Sequence, residues 1–122
     1  MFPNTITLTI NAVARVLIRN NQDNYGSEYQ YFGALESVVM LIRHSVDQVD
    51  KRSGQVTKRH NVFVEHFVYP TVAFPQGIIN TSTLTMRHGQ FTDPVLSADL
   101  LKAVNSWAGT STNIVDLAAG TN

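Results

Sequence analysis

Residues 58 to 70 (Lys-Arg-His-Asn-Val-Phe-Val-Glu-His-Phe-Val-Tyr-Pro) constrain the fold more than any other stretch of the chain. β-Branched and aromatic side chains dominate it, and Val62, Val64 and Val68 share a parity, the pattern of one long strand. A strand points alternate side chains to opposite faces. One face then carries His60, Val62, Val64, His66 and Val68, and the other Arg59, Asn61, Phe63, Glu65, Phe67 and Tyr69. Pro70 has no N–H to give a ladder and ends the strand. The expectation is a central antiparallel strand whose two faces have different tasks.

The rest of the chain supplies partners for it. Thr5 to Ile10 alternates threonine with Ile6, Leu8 and Ile10, and Val13 to Arg19 can return across an Asn11-Ala12 turn, so residues 5–19 read as an N-terminal hairpin. Asn20 to Ser27 reads as a polar loop, and Glu28 to Phe32 as a short strand broken at Gly33. Residues 36–48 alternate again, with Val38, Met40, Ile42, His44 and Val46 opposite Val39, Leu41, Arg43, Ser45 and Asp47. Their β-branched content favours strand over helix. Asp50 to Thr57, with Ser53-Gly54 at its tip, joins this strand to the central one. Thr81 to His88 reads as the last strand, with Leu84, Met86 and His88 opposite Thr83, Thr85 and Arg87.

Between the last two strands lies an apolar connection, Pro70 to Asn80. Pro75 and Gly77 argue against a central strand there. Such a loop either folds back on its own domain or touches another chain. The C-terminal third turns helical. Asp93-Pro94 is an N-cap followed by proline at the first helical position. Leu96, Leu100, Leu101, Ala103, Val104, Trp107 and Ala108 recur at helical spacing, and Gly109 is a stop. Residues 112–119 can form a second short helix. The predicted class is α+β, one domain over residues 1–122: hairpin 5–19, main sheet 28–88, helices 93–119.

A hydrophobic fraction of 43% supports a packed core. Nine basic and nine acidic residues cancel, so the chain as a whole does not steer toward nucleic acid. Any anion-binding role must come from local clustering. Without cysteine there is no disulfide or thiol chemistry, which fits a reducing compartment. No apolar run approaches the roughly 20 residues needed to span a bilayer, and Met-Phe-Pro-Asn-Thr does not start a secretory leader. A soluble, non-secreted protein is expected.

Arg-His occurs three times, at Arg43-His44, Arg59-His60 and Arg87-His88. On strands, each arginine and its histidine face opposite ways. The histidines fall with the apolar set, and the arginines with Ser45, Asn61, Thr83 and Thr85. A face of Arg, Asn, Ser and Thr can hydrogen-bond phosphates, sugars and base edges, with Lys51, Arg52 and Lys58 adding charge at the adjoining turn. The competing reading is an ordinary solvated sheet face. His60 and His66 lie roughly 20 Å apart along a strand and cannot share an ion. His66 and His88 lack the further ligands of a structural zinc site, so no metal or other cofactor is expected. There is no nucleophile elbow or P-loop, and Glu65 is expected to pair with Arg43 or Arg87. No catalytic residues are assigned.

The apolar sheet face of Val38, Met40, Ile42, Val62, Val64, Val68, Leu84 and Met86 is wider than one helix about 10 Å across. Either the hairpin helps to cover it or a second subunit does. An obligate dimer with a joined sheet and exchanged helices solves both the cover and the edge.

This order of elements resembles the coat proteins of single-stranded RNA bacteriophages of the levivirus type. The local likenesses are Val-Phe-Val-Glu-His-Phe-Val-Tyr-Pro (62–70), Thr-Leu-Thr-Met-Arg (83–87) and Ala-Asp-Leu-Leu-Lys-Ala-Val-Asn-Ser-Trp (98–107). The resemblance implies an interlocked homodimer and an icosahedral shell around a single-stranded RNA genome, assembled in the bacterial cytoplasm, with no membrane partner. It also implies an inward sheet face that binds RNA, including a hairpin that represses translation. Carried over by position, the RNA face is Arg43, Ser45, Arg59, Asn61, Thr83, Thr85 and Arg87. The inter-dimer loop is Pro70, Val72, Phe74, Pro75, Gly77, Ile78 and Ile79, and the dimer core Leu96, Leu100, Val104 and Trp107. Phe63 and Glu65 depart from the polar or basic character such a face favours. The alternatives are a dimeric α+β ligand-binding module, or a small cone-shaped enzyme using His66 or His88 with Glu65.

Overall fold

A computed structural model describes residues 2–120 apart from Asn24, Asp50, Ser53 and Thr92. It contains strands β1 (Thr5–Ile10), β2 (Val13–Asp23), β3 (Gly26–Phe32), β4 (Glu36–Val49), β5 (Val56–Val68) and β6 (Ile78–Gly89). Helices α1 (Pro94–Ala108) and α2 (Ser111–Ala119) follow. The strands form one antiparallel sheet in chain order, β1-β2-β3-β4-β5-β6. The expected fold, an antiparallel sheet followed by two C-terminal helices, is what the chain adopts.

The first hairpin turns on Asn11 and Ala12, whose φ values of 52° and 63° are both positive. That is the backbone twist a two-residue hairpin needs. β2 then runs past the expected end of the hairpin. Residues 20–23 were expected in a polar loop, but Asn21 pairs with Glu28, Gln22 with Ser27 and Asp23 with Gly26. A register shift between Arg19 and Asn21 absorbs the extra residue. Ladder pairing overrides the weak strand propensity of Asn, Gln and Asp. β6 likewise starts at Ile78, so Ile78, Ile79 and Asn80 belong to the strand and not to the preceding loop. The expected turn tip at Ser53-Gly54 lies partly outside the described residues.

The chain divides into two compact units, residues 1–46 with 59–85 and residues 47–58 with 86–122. The first holds the core. Leu17, Tyr29, Val38 and Ile42 are buried, and Ile6, Leu8, Ile10, Tyr31, Met40, Val62 and Val64 pack against them. The register puts Ile6 opposite Leu17, Tyr29 opposite Met40 and Tyr31 opposite Val38, all on one face. The expected apolar face of β4 and β5 contributes Val38, Met40, Ile42, Val62 and Val64 to this core, and Ile6, Leu8 and Ile10 of the hairpin pack against it, while Val46 is exposed. Tyr29 brings a hydroxyl into the core and satisfies it by donating to Pro3 O at 2.7 Å.

Within the second unit, Asp93 caps α1 by accepting from Val95 N at 3.0 Å, with Pro94 in the first turn. Asn113 Nδ2 donates to Trp107 O at 3.0 Å and Thr110 Oγ1 to Ser106 O at 3.1 Å, which fixes the corner between the helices. α2 ends at Gly120 with φ 74°, a left-handed cap. Neither helix contains a buried residue, and among the described residues no helix is long and apolar enough to cross a membrane.

Candidate nucleic-acid interface and assembly surfaces

Strand register fixes the face opposite the core. Asp23, Gly26 and Arg43 share it, because Asp23 pairs with Gly26 and Gly26 with Arg43. Gly26 is needed for this close approach. A Cβ there would stand 2.2 Å from Ile42 O and 2.9 Å from Arg43 Cδ. The Arg43 side chain thus lies over the bare glycine, 3.8 Å from Asp23. Ser45 follows two residues along β4 and is exposed.

On β5, Arg59 and Asn61 keep the same parity. Thr85 Oγ1 donates to Asn61 Oδ1 at 3.3 Å, which sets the odd residues of β6, including Thr83, on the face of Asn61. Arg59 is half-buried, and its Nε is buried with no acceptor among the described residues. In the second unit, Arg87 Nε donates to Asp47 at 3.1 Å. The two arginines expected to pair with Glu65 thus find other carboxylates, Arg43 with Asp23 and Arg87 with Asp47. Towards the hairpin that face is mixed: Thr5 and Thr7 of β1 stand opposite Ile18 and Val16 of β2, and Val16, Ile18 and Phe32 line a shallow hollow with Asn20, Gln30 and Tyr31.

A charged cluster on the core face escaped the sequence reading. Arg15, only 7% exposed, ion-pairs with Glu36 and donates through Nη1 to Ile10 O and, at 2.9 Å, to Val13 O. His66 Nε2 lies 2.8 Å from the second Glu36 oxygen. The Arg15 and His66 hydrogen bonds hold the Glu36 carboxyl below its ordinary value despite desolvation, which acts the other way. The cluster ties the hairpin turn (Arg15) to the start of β4 (Glu36) and to β5 (His66). Its members are 21 and 30 residues apart in the chain, so no local motif announces it.

The connection after β5 is a set of tight turns. Thr71 N donates to Phe74 O at 3.0 Å, Phe74 N to Thr71 Oγ1 at 3.1 Å and Gly77 N to Phe74 O at 3.0 Å. Gly77 has φ 77°, and a Cβ on it would meet Val68 O at 2.6 Å. Pro70 and Pro75 are exposed, as are Val72, Phe74 and Ile79, while Gly77 and Ile78 are half-buried. On α1, Leu96, Leu100, Val104 and Trp107 are all more than half exposed.

A sheet with one core face and one partly polar face, an exposed apolar connection and two helices without a buried residue is the fold of a bacteriophage coat protein, a structural protein of the capsid. Residues 3–89 match the family model described as "Phage phiCb5, coat protein", and the chain belongs to that family. The fold is shared with "Virus-like particle of bacteriophage AVE019", at TM-score 0.74 and 13% identity over 100% of this chain and 98% of that one. It is also shared with "Bacteriophage EMS014 coat protein", at TM-score 0.71 and 17% identity over 86% of this chain and 72% of that one. No curated protein sequence matches the chain. The expected recognition as a phage coat protein is borne out.

Proposed function

We propose that this coat protein forms a homodimer, that dimers close into an icosahedral shell, and that the shell packages single-stranded RNA on the sheet face opposite the core. The observation that carries the dimer is the state of α1. Leu96, Leu100, Val104 and Trp107 form an apolar stripe that is exposed in the single chain, a cost that a second subunit removes. Val72, Phe74 and Ile79 are exposed in the same way, which supports a contact between dimers for the 70–79 connection. Assembly takes place in the host cytoplasm, consistent with a chain free of cysteine.

RNA is held by Arg43, Ser45, Arg59, Asn61, Thr83, Thr85 and Arg87. Arg59 supports this reading, because it shares the parity of Asn61 on β5, where a half-buried guanidinium can meet a phosphate. Phe63 and Glu65 share that parity, so the face favours general packaging; repression through one RNA hairpin is the more specific form of the same reading. The test combines Arg43→Ala, Arg59→Ala and Arg87→Ala. The triple variant should assemble, carry less RNA per particle and show a flatter salt dependence of RNA affinity. Unchanged packaging assigns the RNA to another surface. Negative-stain microscopy and size exclusion of the unmodified chain test the shell, and a stable small dimer under all assembly conditions favours a binding module instead.

A further inference from the structure

We propose that His44 and His60 form a two-imidazole binding site for a late first-row transition-metal ion, with Cu²⁺ held more tightly than Zn²⁺. The fold brings together His44 on β4 and His60 on β5. Their Nδ1 atoms are 2.8 Å apart. The rings meet edge to face with centroids 5.0 Å apart. Both sit one step beyond the core residues Ile42 and Val62 on neighbouring strands, so the backbone presets their positions. Without metal, one imidazole donates its Nδ1 proton and the other accepts.

Two nitrogens bound to one tetrahedral ion at about 2.0–2.1 Å lie roughly 3.3 Å apart. The rings therefore need to part by about half an ångström and to tilt until both Nδ1 lone pairs aim at the ion. The donor ring moves its proton to Nε2, both Nδ1 lone pairs then face the ion, and no net proton is lost. No cluster of three or more His, Cys, Asp or Glu ligands gathers among the described residues. The ion accordingly has two protein ligands, with water in its remaining positions. His44 is exposed, which leaves room for that water. Imidazole selects Cu²⁺, Ni²⁺ and Zn²⁺ over the oxygen-seeking Mg²⁺, and affinity rises toward Cu²⁺. This proposal does not depend on RNA binding.

The test titrates the full-length chain, freed of nucleic acid, with CuSO₄, ZnCl₂ and MgCl₂ by calorimetry. One Cu²⁺ per chain should bind more tightly than Zn²⁺, with no matching Mg²⁺ uptake. His44→Asn and His60→Asn should each weaken Cu²⁺ binding about tenfold or more. The nitrogen hyperfine pattern in the Cu²⁺ electron paramagnetic resonance spectrum should fall from two nitrogens to one. His44 is exposed, so His44→Asn should keep the metal-free melting temperature, which separates ligand loss from misfolding. Equal Cu²⁺ isotherms for the variants and the unmodified chain, or Mg²⁺ competing at parity, would overturn the proposal.

Discussion

Arg15 occupies a position on the core face of β2 where an alternating apolar pattern would place another leucine. Its charge is tolerable there because Glu36 and two main-chain carbonyls of the hairpin turn surround the guanidinium. Removing one partner strands the other. Arg15→Ala should therefore cost about 3–5 kcal/mol in urea denaturation, far more than an exposed arginine such as Arg43. The same cluster sets a pH dependence. The folded carboxyl of Glu36 titrates below its ordinary value of 4.5, so its contribution is in full force above about pH 4.5 and is lost as pH falls through the folded value. Stability measured against pH should show an acid limb below 4.5 that Glu36→Gln flattens. A limb of the same size in the variant would place the acid sensitivity elsewhere. On the opposite face, Asp47 occupies Arg87. On the RNA reading, Asp47→Asn should tighten binding of unstructured RNA and steepen its log–log salt slope by about one phosphate contact, as read by filter binding at several salt concentrations.

At the scale of elements, much was legible and the exceptions have identifiable causes. Side-chain parity in β4 and β5 placed Val38, Met40, Ile42, Val62 and Val64 on the core face. The Asp93-Pro94 pair marked the start of α1, and Asn11-Ala12 the first turn. Each is a local rule acting on neighbouring residues. What failed was non-local. Asn21, Gln22 and Asp23 look like loop residues until Glu28, Ser27 and Gly26 are found opposite them. The Arg15–Glu36–His66 cluster needs Arg15 of β2 brought to Glu36 of β4, and the His44–His60 pair needs the residue-by-residue register of the β4–β5 hairpin, which the turn alone does not fix. Of the residues proposed to hold RNA, parity alone put Arg43 and Arg59 opposite the core side chains of their strands, but the carboxylates that hold Arg43 and Arg87 could not be read without the register. The connection before β6 offers a test of local geometry. Gly54 and Gly77 both have positive φ, 69° and 77°, but only Gly77 has backbone close enough to block a Cβ. Gly54→Ala should show only the left-handed backbone cost of about 1–2 kcal/mol. Gly77→Ala should exceed it, because Val68 O must also shift. Equal melting temperatures for the two variants would mean that the connection yields freely.

For the molecule as a whole, the balance of burial points beyond a single chain. Among the described residues the buried apolar side chains are Leu17, Tyr29, Val38 and Ile42, while α1 and α2 leave Val95, Leu96, Leu100, Val104, Trp107, Ile114, Val115 and Leu117 exposed. Full burial of such a side chain is worth about 1.5–3 kcal/mol, so a partner that covers even a few of them contributes on the scale of a domain's net stability. Stability and association are then linked. When a folded subunit gains its cover from a second copy, the melting temperature rises with protein concentration. Trp107→Ala gives the sharper form of this prediction. Because Trp107 is exposed within its own chain, the substitution should barely alter the packing of a single subunit, whereas its loss from a buried dimer interface should cost about 3–5 kcal/mol. Sedimentation equilibrium should show the variant dissociating at concentrations where the unmodified chain is dimeric, with its melting temperature strongly dependent on concentration. A variant with unchanged association would leave Trp107 outside the dimer core and assign the cover of α1 to a different contact in the shell.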